Sequence, residues 1–277
     1  MRTVSFPNGE SVPVLGQGTW MMGEKPERRR EEIAALRHGV SLGMTLVDTA
    51  EMYGEGATER LVGEALDGLR DQVFLVSKVY PHNASRRGVI AACERSLERL
   101  RTDRLDLYLL HWRGTVPLEE TIEGFEVLRD AGKIRHWGVS NFDTDDMDEL
   151  FDAPGGDACV TNQVLYNLSR RVPEYDLLPW LAERGLPTMA YSPIEQGRLP
   201  TGGVLGDIAR AQNVAPLQIA LAWVLHQTGV IAIPKASSEA HVTANRAAHD
   251  IVLSPDELAA LAHHFEAPSR KRPLEMI

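Results

Sequence analysis

Cysteine is scarce: Cys93 and Cys159 are the only two in 277 residues, far apart and in no CxxC spacing. That supports neither a disulfide framework nor a thiolate zinc site. There is no HExxH and no clustered Cys/His spacing, so no metal is expected, and the adjacent His263 and His264 do not share a helix face. A GxSxG elbow is also missing. No apolar run reaches the ~18 residues of a membrane-spanning helix. The opening MRTVSFPNGE holds no apolar segment of signal-peptide length, so the expected compartment is the cytoplasm. Positive charge is in deficit, with 29 Lys and Arg against 39 Asp and Glu, a net charge of −10, and no basic stripe. That disfavours nucleic acid or an anionic membrane surface as a partner. A local cluster of donors can still hold a small anion.

Apolar residues make up 43% of the chain, ample for a sizeable core. Segment 3–14 reads as a hairpin around the turn Asn8-Gly9. Short apolar runs then alternate with amphipathic stretches. The predicted strands are 15–19, 45–49, 73–79, 105–111, 137–140, 159–162, 188–192 and 230–234. FLVSKV and LDLYLLH are nearly continuous apolar runs, as parallel strands covered on both faces require. Between them, Val89, Cys93, Leu97 and Leu100, and then Leu118, Ile122, Phe125 and Leu128, follow helical spacing. Gly132 reads as a helix stop, and Ser254-Pro255-Asp256-Glu257 as a helix start. No linker or composition break interrupts the alternation, so residues 1–277 are expected to form one α/β domain. The strand count favours a closed (β/α)8 TIM barrel, although pattern alone also admits an open doubly wound sheet. Segment 268–277 is polar, without period, and reads as a short surface tail.

The active face of such a barrel lies at the C-terminal ends of its strands. Asp48 ends TLVD, Tyr53 lies just beyond it, Lys78 ends FLVSK and His111 ends LDLYLLH. Each has a plain structural reading: cap, packed aromatic, ion-pair partner, buried histidine. Together they form a coherent proton-transfer device. A carbonyl that accepts hydride needs a proton on its oxygen, and Tyr53 can give one. Its ordinary pKa is ~10, and a Lys78 ammonium held by Asp48 is expected to lower it. His111 can hydrogen-bond the carbonyl oxygen and orient it. Hydride has to come from a cofactor. A Schiff-base aldolase built on Lys78 is the rival chemistry, though it gives Asp48 and Tyr53 no task.

Cofactor signals are subtle. Gly16-Gln17-Gly18 begins a dinucleotide fingerprint, but Met21 stands where its third glycine belongs, and Gly54-Glu55-Gly56 fails as well. IAIPKASS ends the last strand with Lys235, Ser237 and Ser238 before a helix beginning near Glu239. This is either a phosphate site or an N-cap beside a solvated lysine.

The same residues resemble the catalytic tetrad of the aldo-keto reductases: Asp48, Tyr53 five positions on, Lys78 and His111. LGQGTW, VDTAEMYG, DLYLLHW, GKIRHWGVSNF, NQVLYN, AYSPI and IPKASS follow in the family's order, from about Val4 to Phe265. The resemblance implies a barrel whose bottom the hairpin closes and an extended NADP(H) bound without a Rossmann motif. It implies a small carbonyl substrate and a monomer. Thr19, Trp20 and Asp48 would stand beside the nicotinamide, with Ser140, Asn141 and Gln163 on its carboxamide and Tyr191 stacked on the ring. Ser192, Pro193, Gly197 and Leu199 would line the pyrophosphate channel. Lys235, Ala236, Ser237, Ser238, His241 and Asn245 would meet the adenosine. Trp20 and Trp112, with Tyr53 and His111, would wall the substrate pocket.

Three positions depart from the common pattern. Ala236 replaces a serine, His241 an arginine that grips the 2′-phosphate, and Ala244 an acid. An imidazole is a weaker phosphate partner than a guanidinium, so NAD(H) stays open beside NADP(H). The short segment after His111 suggests an open site for small aldehydes, 2-oxoaldehydes such as methylglyoxal, or ketones. The alternative reading is a nicotinamide-binding sensor module with weak catalysis.

Overall fold

The turn between the first two strands forms as its sequence dictates. Gly9 takes φ +86°, a region open to residues without a Cβ, and joins β1 (Thr3–Ser5) to β2 (Ser11–Pro13) in an antiparallel pair. The computed structural model describes all residues 1–277.

Eight strands follow, each hydrogen-bonded in parallel to the next: β3 (Gln17–Gly18), β4 (Leu46–Asp48), β5 (Phe74–Val79), β6 (Leu105–Leu110), β7 (Ile134–Ser140), β8 (Asn162–Leu165), β9 (Thr188–Tyr191) and β10 (Val230–Ile233). The last returns to the first, where Leu15 bridges Ala232 and Gly18 bridges Lys235. The sheet thereby closes into a (β/α)8 barrel. Closure requires a glycine at position 18, because a Cβ there would stand 2.7 Å from the carbonyl oxygen of Ile233.

Helices α1 (Arg29–Ser41), α2 (Ala57–Ala65), α3 (Arg86–Leu100), α4 (Leu118–Asp130), α5 (Thr144–Asp152), α6 (Leu177–Glu183), α7 (Gly203–Ala211), α8 (Pro216–His226), α9 (Glu239–Ala248) and α10 (Pro255–His264) surround the strands. Their starts are written locally: Ser85 caps α3, while Asp143 and Ser254 form capping boxes on α5 and α10. Gly132, φ +69°, ends the turn after α4.

Two apolar cores result. The larger lies between the strands and the helices and includes the predicted faces of α3 and α4. The smaller fills the barrel with Leu46, Phe74, Val76, Leu107, Leu109, Met189, Ile231 and Ile233, and Phe6 and Val12 from the hairpin plug its bottom. Each such side chain, once buried, contributes roughly 1.5–3 kcal/mol. Side chains alternate along a strand. The inward positions after Leu46, Val76 and Leu109 are therefore Asp48, Lys78 and His111, the top layer of the barrel.

Three expectations need adjustment. Strand β7 starts at Ile134 rather than Trp137. Strand β8 runs from Asn162 to Leu165 rather than 159–162. Val160 and Thr161 bond to β7 (Val160 N to Trp137 O, 3.0 Å), but pairing on both sides begins at Asn162. The segment 268–277 is not a free tail: Leu274 packs on the outer core, Lys271 pairs with Asp145 (2.7 Å), and Glu275 pairs with Arg170 (3.0 Å). No helix is long and apolar enough to cross a membrane.

Candidate active site

Asp48 closes β4, Lys78 lies near the end of β5, and His111 follows β6, whose backbone amide bonds to Val79 (3.0 Å). Tyr53 enters from the loop after β4, where Gly54 (φ +54°), Glu55 (φ +50°) and Gly56 (φ +84°) turn the chain tightly before α2. Lys78 Nζ donates to Asp48 Oδ1 (2.6 Å), to the Thr49 carbonyl (2.9 Å) and to Tyr53 Oη (3.2 Å). All three ammonium hydrogens are therefore committed, and Nζ also lies 4.9 Å from the Tyr53 ring centre. The second Asp48 oxygen accepts from Gln163 Nε2 (2.8 Å). The His111 ring meets Tyr53 edge-on, with centroids 5.9 Å apart.

The electrostatics correct one expectation. Burial raises the Tyr53 phenol above its ordinary value, and Asp48 adds to the rise, although Lys78 opposes both. Lys78 softens the effect of desolvation but does not reverse it. Burial pulls the Lys78 ammonium down, yet Asp48, with Tyr53, more than offsets this and leaves it above the usual lysine range. An ammonium with all three hydrogens committed is a poor nucleophile, and this arrangement favours a cationic role for Lys78 over the aldolase chemistry. Burial, reinforced by the Lys78 charge, holds His111 well below its ordinary value, so the imidazole is neutral. Its Nδ1 is buried without a partner. The arrangement offers a phenolic proton, a cation to receive the phenolate, and a neutral hydrogen-bonding imidazole.

The residues expected at the nicotinamide end come together. Ser140 Oγ donates to the Gln163 backbone carbonyl (2.8 Å) and accepts from Asn141 Nδ2 (3.1 Å), which also reaches the His111 backbone carbonyl (3.1 Å). Asn141 adopts φ +58°, and Tyr191 Oη donates to its Oδ1 (2.9 Å). Tyr191 is half-buried. The Gln163 amide nitrogen is engaged by Asp48, so its carbonyl end is the part left for a ligand. Thr19 Oγ1 donates to the Asp48 carbonyl (2.8 Å). Trp20 is exposed, and Trp112 packs 5.0 Å from His111.

The segment after β9 turns through positive φ at Ser192, Glu195, Gln196 and Gly197. Pro193 is buried, and the Leu199 side chain packs into the outer core. At the far end Lys235 and His241 are exposed, with Ala236 and Asn245 half-buried. The hydroxyls there are already engaged: Ser237 Oγ points to Glu32 Oε1 (3.4 Å), and Ser238 Oγ caps α9 by accepting from His241 N (3.4 Å).

Several residues escaped the sequence reading. Tyr80, the residue just after β5 and two positions beyond Lys78, meets Trp112 edge-on, with centroids 5.9 Å apart. Period-two spacing carried that signal. Asn167 and Arg170 hold the segment after β9: Asn167 Nδ2 donates to the Ser192 carbonyl (2.9 Å) and Glu195 Oε2 (2.8 Å), and Arg170 Nη2 donates to Glu195 Oε1 (3.0 Å). No local pattern announces these partners, which lie 25 or more residues apart in sequence.

Known proteins agree with this arrangement. A methylglyoxal reductase of Escherichia coli, YeaE, is 53% identical, covering 100% of this chain and 99% of its own. A glyoxal reductase of Bacillus subtilis is 34% identical over 92% and 90% of the two chains. An aldo-keto reductase of Klebsiella pneumoniae solved in complex with NADPH superposes with a TM-score of 0.97 at 52% identity, covering 100% and 99%. The model of the aldo/keto reductase family matches residues 14–266. From the barrel's first strand to its tenth helix, the chain belongs to the aldo/keto reductase family.

Proposed function

We propose that the chain reduces small aldehydes, and in particular 2-oxoaldehydes such as methylglyoxal, to alcohols with NADPH as hydride donor. The observation that carries this reading is the coupling of Tyr53 through Lys78 to Asp48, at 3.2 Å and 2.6 Å. The relatives named above act on methylglyoxal and glyoxal, and the Klebsiella structure holds NADPH. The site's own residues suit a nicotinamide: a tyrosine face, a preformed Ser140–Asn141–Gln163 hydrogen-bond set, and a glutamine carbonyl left free.

When bound, the reduced nicotinamide supplies the hydride. The rest falls to the chain. Ser140, Asn141 and Gln163 orient the carboxamide, and Tyr191 carries the ring. His111 Nε2 donates to the substrate carbonyl oxygen and polarises it, and being neutral it does so without giving up a proton. Tyr53 transfers its phenolic proton to that oxygen as the carbonyl carbon is reduced. Carbon gains the hydride and oxygen gains the proton, so C=O becomes CH–OH. Lys78 stabilises the phenolate left behind, and Asp48 keeps the ammonium in place. Trp20, Tyr80 and Trp112 supply apolar walls suited to a small neutral carbonyl. Ser192, Pro193 and Gly197 border the pyrophosphate, while Lys235, with Ala236, Ser237, Ser238, His241 and Asn245 around it, meets the adenosine. One chain supplies every group, so a single barrel unit completes the site without a second copy.

The test is a carbonyl panel run with NADPH and with NADH, on the wild type and on Tyr53→Phe. Methylglyoxal should oxidise NADPH, and the variant should lose turnover by roughly 10²–10⁴-fold while still binding the cofactor. Comparable turnover in Tyr53→Phe would remove Tyr53 as the proton donor.

A further inference from the structure

Glu32, in the first turn of α1, is an acid with 2% exposure that the proton machinery does not use. Its Oε2 accepts the amide of Gly23 (2.8 Å), in the turn after β3, where φ is +76°. Its Oε1 faces Ser237 Oγ (3.4 Å), just past the end of β10. One buried carboxylate thus ties together the two loops that leave the barrel seam. Between those loops stands Lys235, bridged to Gly18.

Two acids, Glu32 and Glu24, act on Lys235 together with the cation Arg28. A 2′-phosphate brings about −2 at neutral pH, by analogy with phosphorylated side chains, and each of those acids repels it. Burial keeps Glu32 from touching a ligand, so its influence is a field acting on Lys235 and on whatever Lys235 holds. That field is screened less than the field of an exposed acid. Loss of hydration pulls the Lys235 ammonium below the usual lysine range, and Glu32 is the strongest influence opposing this.

We propose that Glu32 sets the balance between NADPH and NADH, by keeping a buried negative charge beside the lysine that meets the adenosine 2′ position. It is a positioning residue that works through Lys235. The inference rests on the proposed function, in which Lys235 meets the adenosine end of the cofactor.

The experiment is calorimetric titration of the full chain with NADPH and with NADH, without any carbonyl. Glu32→Gln keeps the shape and both hydrogen bonds but removes the charge. It should tighten NADPH roughly threefold to tenfold and leave NADH within about twofold. Glu32→Asp keeps the charge and should keep the wild-type ratio, which a role in packing alone would not. A ratio that ignores Glu32→Gln, that shifts towards NADH, or that changes equally in Glu32→Asp overturns the inference. If Glu32→Gln does not fold, Glu32→Met, uncharged and unbranched, provides the reading. It should shift the ratio severalfold towards NADPH; no shift, or the opposite one, overturns it. A wild type that binds neither dinucleotide overturns the functional reading as well. Binding with an unresponsive ratio overturns this inference alone.

Discussion

Gln163 reaches across the barrel from β8 to donate its amide to Asp48 on β4, 2.8 Å away. Lys78 holds the other carboxylate oxygen at 2.6 Å, so both oxygens of this buried acid are satisfied. The family resemblance gave Gln163 a task on the cofactor alone. The structure adds a second, because the acid that steadies the lysine is itself steadied by the glutamine.

Gln163→Leu should therefore damage more than cofactor binding. A hydrogen bond to a charged group contributes about 1.5–3 kcal/mol, and its loss should appear in denaturant unfolding as a lower midpoint at unchanged slope. With Asp48 free to rotate, kcat/KM should fall by about an order of magnitude. A variant as stable as the wild type would show that the contact does not anchor Asp48.

The raised Tyr53 phenol has a sign that activity can read. The donor is the protonated form, and burial keeps it protonated beyond its ordinary value of 10.0. Turnover for reduction should stay level from about pH 6 to about pH 9 and decline only on the alkaline side. Lys78→Met removes the cation that receives the phenolate and should lower kcat by roughly 10²–10³-fold. A decline in wild-type turnover already near pH 7 would contradict the raised phenol.

His111 gives the opposite lesson, in stability. Burial and the Lys78 charge depress its folded pKa well below 6.5. The unfolded chain therefore takes up a proton that the folded chain refuses, and stability falls as pH drops below about 6.5. The slope of Tm against pH between about 6.5 and 5 should be shallower in His111→Gln than in the wild type. Parallel slopes would place the acid sensitivity elsewhere.

Arg170 joins two segments that bound the mouth, pairing with Glu195 after β9 and with Glu275 near the C-terminus, each at 3.0 Å. The Glu275 pair is exposed and contributes only about 0–1 kcal/mol. Glu195, however, is buried and would keep Asn167 as its main partner, so Arg170→Leu should lower Tm by a few degrees. It should also speed cofactor release severalfold in stopped-flow displacement and expose the tail to carboxypeptidase. Unaltered release would leave Arg170 a surface residue only.

Much of this was legible in the chain. Alternating apolar runs and helical spacing gave an α/β domain whose strand count favoured the closed barrel, Asn8-Gly9 gave the hairpin, and the ends of three strands gave Asp48, Lys78 and His111, because period-two alternation is local. The start of β8 was misplaced, since Val160 and Thr161 look like strand and bond on one side only. The direction of the Tyr53 shift was also missed. Sequence names the neighbouring ammonium but not how much water the fold removes. Glu32, Arg170 and the anchored tail depend on contacts between distant segments, for which one sequence has no periodic signature.

The anchored tail bears on how the protein should be handled. The last residues are tied down through Lys271, Leu274 and Glu275, so a purification handle fused after them would pull on Arg170 and, through it, on the segment after β9. The opposite terminus is the safer place for one: Arg2 reaches the Leu225 carbonyl, and the hairpin beside it plugs the far end of the barrel.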